Sequence, residues 1–314
     1  MNYVIKKNPI LLNLKRIPVG LSGVSLGIAG WGVACNAFGI PYIKDITSFI
    51  AACILVIFIF RNIFHFNILM DELKHHTLGS FIPTLTMASM IVASSLIKIS
   101  IPLGRTIWYL AIILHIIYFS VFFYHRIINF DLNHVVPSWF IPPIGIVVAS
   151  TTSASMNSPA IAQGIFYFGF TAYVIMFPLM IYRLTFIHFD TDRYPIFGIM
   201  GAPASLCLVG YLTSFNDPNP LVVCFLLTLA ALNTVLVYIS LPLISKLKFN
   251  PSFASLTFPL AIGTTGIFKA SNFYGSTTDF GIILNYIGRS ELVISGIIIL
   301  IVTVKMVKYI LDSK

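Results

Sequence analysis

The side chains able to do acid–base or metal chemistry are few and poorly spaced for it. Histidines stand at His65, His75, His76, His115, His125, His134 and His188, without the HxxxH or HxxHH spacing of a di-iron membrane enzyme and without an HExxH or P-loop string. The reading is of a protein that is not an enzyme, with no cofactor and no metal. Cys35, Cys53, Cys207 and Cys224 form no CxxC pair and fall in apolar stretches, where a small thiol serves packing. The ten acids are Asp45, Asp71, Glu72, Asp131, Asp190, Asp192, Asp217, Asp279, Glu291 and Asp312, and all are expected in loops or near the ends of helices. Neither a proton relay of buried carboxylates nor an acidic ring for cations can be assembled from them. His115 is the one titratable group expected in mid-helix, and it reads as a packing or interface histidine.

The backbone offers more. Prolines recur at Pro18, Pro83, Pro142 with Pro143, Pro203 and Pro259, with spacings of 65, 59 to 60, 60 to 61 and 56 residues. Small or hydroxylated residues follow each one, such as Gly20 and Gly23, Thr84 and Thr86, Gly145, Ser205, and Gly263-Thr264-Thr265-Gly266. Proline in a membrane helix frees a carbonyl, which needs a new partner or a water-filled cavity. A period near 60 is two membrane helices plus their loops, so the unit is a helical hairpin used five times. The stripe Gly20, Gly23, Gly27, Gly30 keeps one face of the first helix nearly bare, for packing or for a pore. A conduit lined by hydroxyls and backbone amides, with no acid, does not repel anions. Lacking a strong cation, it favours those that shed water easily.

These groups must be positioned by membrane helices. Of 314 residues, 58% are apolar and 9% charged, against roughly 25% charged in a soluble domain. Uncharged runs cover 17–43, 75–97, 106–125, 132–182, 194–216, 218–245 and 249–268, and a span needs about 20 residues. Ten spans are expected, at about 17–39, 45–65, 79–99, 104–126, 138–154, 160–182, 196–214, 219–241, 251–270 and 288–310. They form one all-α transmembrane domain over 1–314. It has a short basic N-terminus (1–16), spans over 17–310, a short C-terminus (311–314) and no cleaved signal peptide. The odd spans, kinked by proline and lined with Gly, Ser and Thr, suit an inner ring. The even spans, richer in Ile, Leu and Phe, suit a lipid-facing outer ring. Fourteen Lys and Arg fall on one side and five on the other, which places both termini in the cytoplasm. The net charge of +9 reflects this bias and contact with anionic lipid rather than nucleic acid.

The ninth span reads Leu256-Thr257-Phe258-Pro259-Leu260-Ala261-Ile262. With the ten-span pattern and the proline-broken odd helices, it resembles the tellurite-resistance/dicarboxylate transporter family (TehA-like), which includes the slow-type anion channels of plant guard cells. The resemblance implies five hairpins in quasi-fivefold arrangement around a central pore in each subunit of a homotrimer in the bacterial inner membrane. It implies a passive channel for small monovalent anions, with Phe258 as the gating ring that occludes it, and it carries an association with tellurite resistance. The residues expected along the pore are Gly20, Gly23, Thr84, Gly145, Ser205, Pro259 and Ile262. The expected partners are small inorganic anions, membrane lipid and two further copies of the chain. The alternative is a proton-coupled carrier of dicarboxylate or tellurite.

Overall fold

The computed structural model describes residues 13–312; Lys6, Lys7, Lys314 and the outer parts of both expected termini lie outside the described residues. Within 13–312 the chain is helical, with no strand. The helices are α1 (Gly20–Phe38), α2 (Pro41–Phe64), α3 (Phe66–Lys74), α4 (Leu78–Phe81), α5 (Thr84–Leu96), α6 (Ile101–Ile128), α7 (Ile141–Ile144), α8 (Val148–Thr152), α9 (Pro159–Phe186), α10 (Ala202–Ser214), α11 (Pro220–Ile244), α12 (Thr257–Tyr274) and α13 (Asp279–Asp312). Tighter 3-10 turns occupy Pro137–Phe140, Gly145–Val147, Thr191–Gly201 and Pro251–Leu256.

Eight segments are long and apolar enough to cross a membrane: Gly20–Phe38, Pro41–Phe64, Leu78–Leu96, Ile101–Ile128, Pro159–Phe186, Thr191–Ser214, Pro220–Ile244 and Asp279–Asp312. The two other expected spans take a different form. Residues 137–152 alternate between 3-10 turns and short α pieces, and α12 carries Thr, Gly, Ser, Asn and Lys among its apolar residues. The prolines do not kink continuous odd helices, as the sequence suggested. Pro83 is the N-cap of α5, Pro203 lies in the first turn of α10, and Pro259 is the third residue of α12. There the absent N–H has no helical partner to lose. Prolines lie well inside α-helices at Pro178 of α9 and Pro242 of α11, both in even spans, and inside the 3-10 stretch Thr191–Gly201 at Pro195.

Burial separates two layers. In Gly20–Phe38, Leu78–Leu96 and Thr191–Ser214, 67%, 83% and 78% of the apolar window is buried, whereas α2, α6, α9, α11 and α13 bury only 28%, 33%, 22%, 39% and 33%. Side chains such as Phe49, Ile113, Ile175, Ile239 and Leu300 stand exposed on the latter. So much outward apolar area is compatible only with lipid, and the protein is a multi-pass membrane protein.

Charged side chains close the helix ends. Arg61, Arg126 and Arg183 lie at the C-terminal ends of α2, α6 and α9, and all three are buried. Arg61 forms a two-pronged ion pair with Glu72 of α3. Arg126 donates to the Lys74 carbonyl, and Arg183 donates to the carbonyls of Leu132, Asn133, Ile187 and His188. Each guanidinium also faces a phenyl ring, of Phe58, Phe122 and Phe189 respectively. The sequence reading counted these arginines only as charge on one side of the membrane.

Glu291, expected near the end of a span, lies well inside one. The last helix starts at Asp279 rather than 288, because Phe280–Ile287 is already apolar and helical. Glu291 is therefore its thirteenth residue, buried inside the helical body and not near a span end.

The Arg61–Glu72 pair yields a test of how the loops are held. Glu72→Ala leaves a buried guanidinium without its counter-charge, a loss of about 3–5 kcal/mol. Thermal unfolding in detergent should show a clearly lowered midpoint, while Asp71→Ala, which touches only an exposed i,i+3 pair, should leave the midpoint unchanged.

Candidate functional site

Each inner segment begins with a break, and hydroxyls and one imidazole satisfy the carbonyls exposed there. Thr84 donates to Phe81 O at 2.7 Å and Thr86 to Pro83 O at 2.7 Å. Ser205 donates to Gly201 O at 2.9 Å, and Thr257 to Ala254 O at 2.7 Å. Ser255 lies 2.5 Å from both Pro195 O and Ser252 O. His115, fully buried, bridges α6 to two inner segments through Pro142 O at 2.9 Å and Thr86 Oγ1 at 2.8 Å. The histidine expected on an outer helix thus braces the inner ones.

The five breaks surround a narrow cavity. Its wall takes a pair spaced i, i+3 from every inner segment: Gly23 and Leu26, Thr84 and Met87, Ile141 and Ile144, Pro203 and Leu206, Ser255 and Phe258. That spacing puts both members on one helical face. Phe81, Phe140, Gly145, Ile199, Ala202, Ala254 and Pro259 complete the wall. No charged residue lines it, and the hydroxyls of Thr84 and Ser255 are committed to the backbone. The surface offered to a solute is almost wholly apolar.

Of the residues singled out from the sequence, Gly23, Thr84, Gly145, Phe258 and Pro259 line this cavity. Gly20, Ser205 and Ile262 do not. Gly20 packs on Pro251 and Met306, Ser205 faces Gly263, and Ile262 lies one turn beyond Phe258, past the last lining residue of α12. The glycine stripe of α1 serves mainly as a seat for the segment that bears Phe258: Gly23 faces Ala254, Gly27 faces Thr257, and Gly30 faces the Phe258 ring. Leu26, Met87, Ile144 and Leu206 were missed. Their signal was the same period, since each occupies in its own segment the place that Phe258 holds in the fifth.

The letters Gly23-Val24-Ser25-Leu26-Gly27 match the GxSxG string of serine hydrolases. Here they form regular helix, and Ser25, buried, donates to Ala51 O at 3.1 Å. Neither the strand-to-helix elbow nor a partnering histidine is present among the described residues.

The two ends of the site are electropositive. The segments leading to Phe81 and Phe140 carry a ring stack of His75, His76 and His134, with centroids 4.4 and 4.3 Å apart, and Trp139 Nε1 donates to His76 O at 2.9 Å. Burial, with His75, His134, Arg193 and Arg126 close by, pushes His76 down to about 4. At neutral pH His76 is thus uncharged, and the arginines carry the field. At the other end Lys269, half-buried and without an acidic partner among the described residues, sits on the Phe258 face of α12, three turns or about 16 Å further on.

Gly30 gives a direct handle on the ring. A Cβ there would lie 2.9 Å from Phe258 Cδ2, so Gly30→Ala must push the ring off its seat. The thermal midpoint in detergent should fall in Gly30→Ala and should fall less when the same substitution is made in Phe258→Ala, where the clashing ring is absent. Equal effects in both backgrounds would uncouple the glycine from the ring.

The family described as SLAC1, voltage-dependent anion channel, matches residues 16–307. Two uncharacterized transporters of Methanocaldococcus jannaschii are similar, one 28% identical over 172 residues (48% of this chain, 50% of the relative) and one 27% identical over 168 residues (48% and 47%). The chain thus spans about half the length of the curated relatives it matches.

Proposed function

The chain belongs to the SLAC1 family of voltage-dependent anion channels, and from that membership and the cavity we propose that it is a passive channel for small monovalent anions. In this reading ten spans form five hairpins in quasi-fivefold arrangement, the cavity is part of a central pore, and Phe258 is its gate. One observation carries it: an uncharged, apolar chamber walled by equivalent residues of five segments, in which the second member of each i, i+3 pair is Leu26, Met87, Ile144 or Leu206 in four segments and the aromatic Phe258 in the fifth. The ring is 5% exposed, and burying it stabilises by only about 1.5–3 kcal/mol. A barrier of that size can move without unfolding the wall.

Positive ends and an uncharged middle favour anions over cations. Because no charged residue lines the cavity, an entering ion gets little compensation for lost water, so ease of dehydration should set the order. The reading further takes the assembly to be a homotrimer in the bacterial inner membrane, with both termini cytoplasmic. The segregation of Arg61, Arg126, Arg183 and Arg193 to one end of the helices supports that orientation. A link to tellurite resistance would be passage of that oxyanion through the same conduit.

Bilayer recordings test both parts. Permeability should run iodide and nitrate ahead of chloride, and a substantial potassium current or a preference for strongly hydrated anions would overturn the uncharged-pore reading. For the gate, Phe258→Ala should raise anion conductance by a large factor and Phe258→Leu by less. Phe253→Ala, altering a ring packed at a tilt against Phe249 and absent from the cavity wall, should leave it unchanged. Unaltered conductance in a correctly assembled Phe258→Ala protein would return Phe258 to simple packing.

A further inference from the structure

Among the described acids, Glu291 stands apart. Glu72 is paired with Arg61, Asp45 with Lys98, Asp71 with Lys74, Asp190 with Arg193, and Asp131 lies beside Asn133 and His134. Asp192, Asp217, Asp279 and Asp312 are exposed. Glu291 is only 8% exposed, and its Oε2 is fully enclosed with no hydrogen-bond partner.

Its surroundings come from three other helices. Around the Cβ position of Gly263 in α12 gather Thr234 Oγ1 of α11 at 3.5 Å, Ser205 Oγ of α10 at 3.8 Å and Glu291 Oε2 of α13 at 3.8 Å. Tyr238 of α11 turns its hydroxyl toward the same carboxyl, short of a closed hydrogen bond. It is the only titratable group among the described residues set against Glu291. The nearest base in sequence, Arg289, is turned away: its Nε donates to Asn285 Oδ1, and its guanidinium lies over Phe38 and Tyr286. A carboxylate in this setting has hydroxyls for company and no counter-charge, and an isolated buried ion is costly. A carboxylic acid has neither difficulty.

We propose that Glu291, enclosed by Ser205, Thr234, Tyr238 and Gly263, is a proton-binding site whose occupancy sets the anion conductance of the neighbouring pore. The proposal rests on the pore reading above. The site lies at Gly263 of α12, five residues beyond Phe258 and past the last residue of that helix on the cavity wall, and in the pore reading α12 stands between it and the permeation path. With the proton bound the wall is neutral. Released, the proton leaves a negative charge about one helix diameter, roughly 10 Å, from a passing anion. At an effective dielectric of about 20, that repulsion corresponds to a conductance lower by roughly tenfold. The binding step is simple and balanced: one proton from the aqueous phase joins one carboxylate oxygen.

Two measurements on the full chain in liposomes test this. Labelling by dicyclohexylcarbodiimide, which attacks protonated carboxyl groups in apolar surroundings, should modify Glu291 at about pH 5 and fade as the pH rises toward about 9. Chloride flux, in the wild type and in the Phe258→Ala background, should fall roughly tenfold over the same range. Glu291→Gln should hold it high and flat. Tyr238→Phe removes the hydroxyl best placed to stabilise the carboxylate, so it should move both transitions to higher pH. A Glu291→Gln protein with the wild-type pH profile, or no labelling of Glu291 even at about pH 5, overturns the proposal. If neither background conducts, the pore reading falls instead, while labelling still decides whether Glu291 holds a proton. If Glu291→Gln fails to assemble, unshifted transitions in Tyr238→Phe serve as the overturning result.

Discussion

Every break in a helix that lies within a bilayer leaves carbonyls with no water to receive them, and the rest of this molecule is arranged around supplying partners for those groups. Five inner segments are broken at their proline positions. Thr84, Thr86, Ser205, Ser255, Thr257 and His115 serve the carbonyls nearby. The hydroxyl-rich sequence that suggested a polar conduit is thus largely consumed by the backbone. What remains facing the cavity is Leu26, Met87, Ile144, Leu206 and Phe258, with Phe81, Phe140, Ile141, Ile199 and small residues between them. An apolar lumen is the physical consequence of repairing the breaks locally.

That arrangement divides labour between the middle of the molecule and its ends. The middle cannot bind an ion tightly, since it offers no charge and few free donors. Arg126, Arg183 and Arg193 lie near one end, and Lys269 stands toward the other. Two of these arginines are themselves structural: Arg126 ties its helix to Lys74 O, and Arg183 gathers four loop carbonyls. The same side chains hold the loops and place positive charge at that end, so the proposed preference for anions would not be separable from the architecture. Membership of the SLAC1 family accords with that sign.

The buried ionic groups fall into two kinds. Arg61 is matched by Glu72 and by Asn62 Oδ1, which is the condition under which a charge can be enclosed without large loss. Glu291 has no such match, and the oxygens around it come from helices of both layers. Glu291, buried with Oε2 unpaired and no counter-charge, is a titratable group placed where it touches the helix carrying Phe258.

Composition and period alone determined that the chain is a multi-pass helical protein, and that its inner helices would be the ones with proline and small residues. Both follow from local chemistry: lipid demands uncharged runs of about 20 residues, and proline is accommodated most easily at a helix start, although Pro178 and Pro242 sit within continuous helices. The same period held Leu26, Met87, Ile144 and Leu206 in register with Phe258, though their ordinary side chains gave no reason to look. Tertiary structure alone decided the rest. Whether Gly20, Gly23, Gly27 and Gly30 face a lumen or a neighbour depends on where α12 and the turn before it pack. Whether Thr84 and Ser255 offer their hydroxyls to a solute depends on which carbonyls lie within reach. Glu291 read as a residue near a span end because the apolar stretch before it is short. Only the helix begun at Asp279, packed against α11 and α12, buries it.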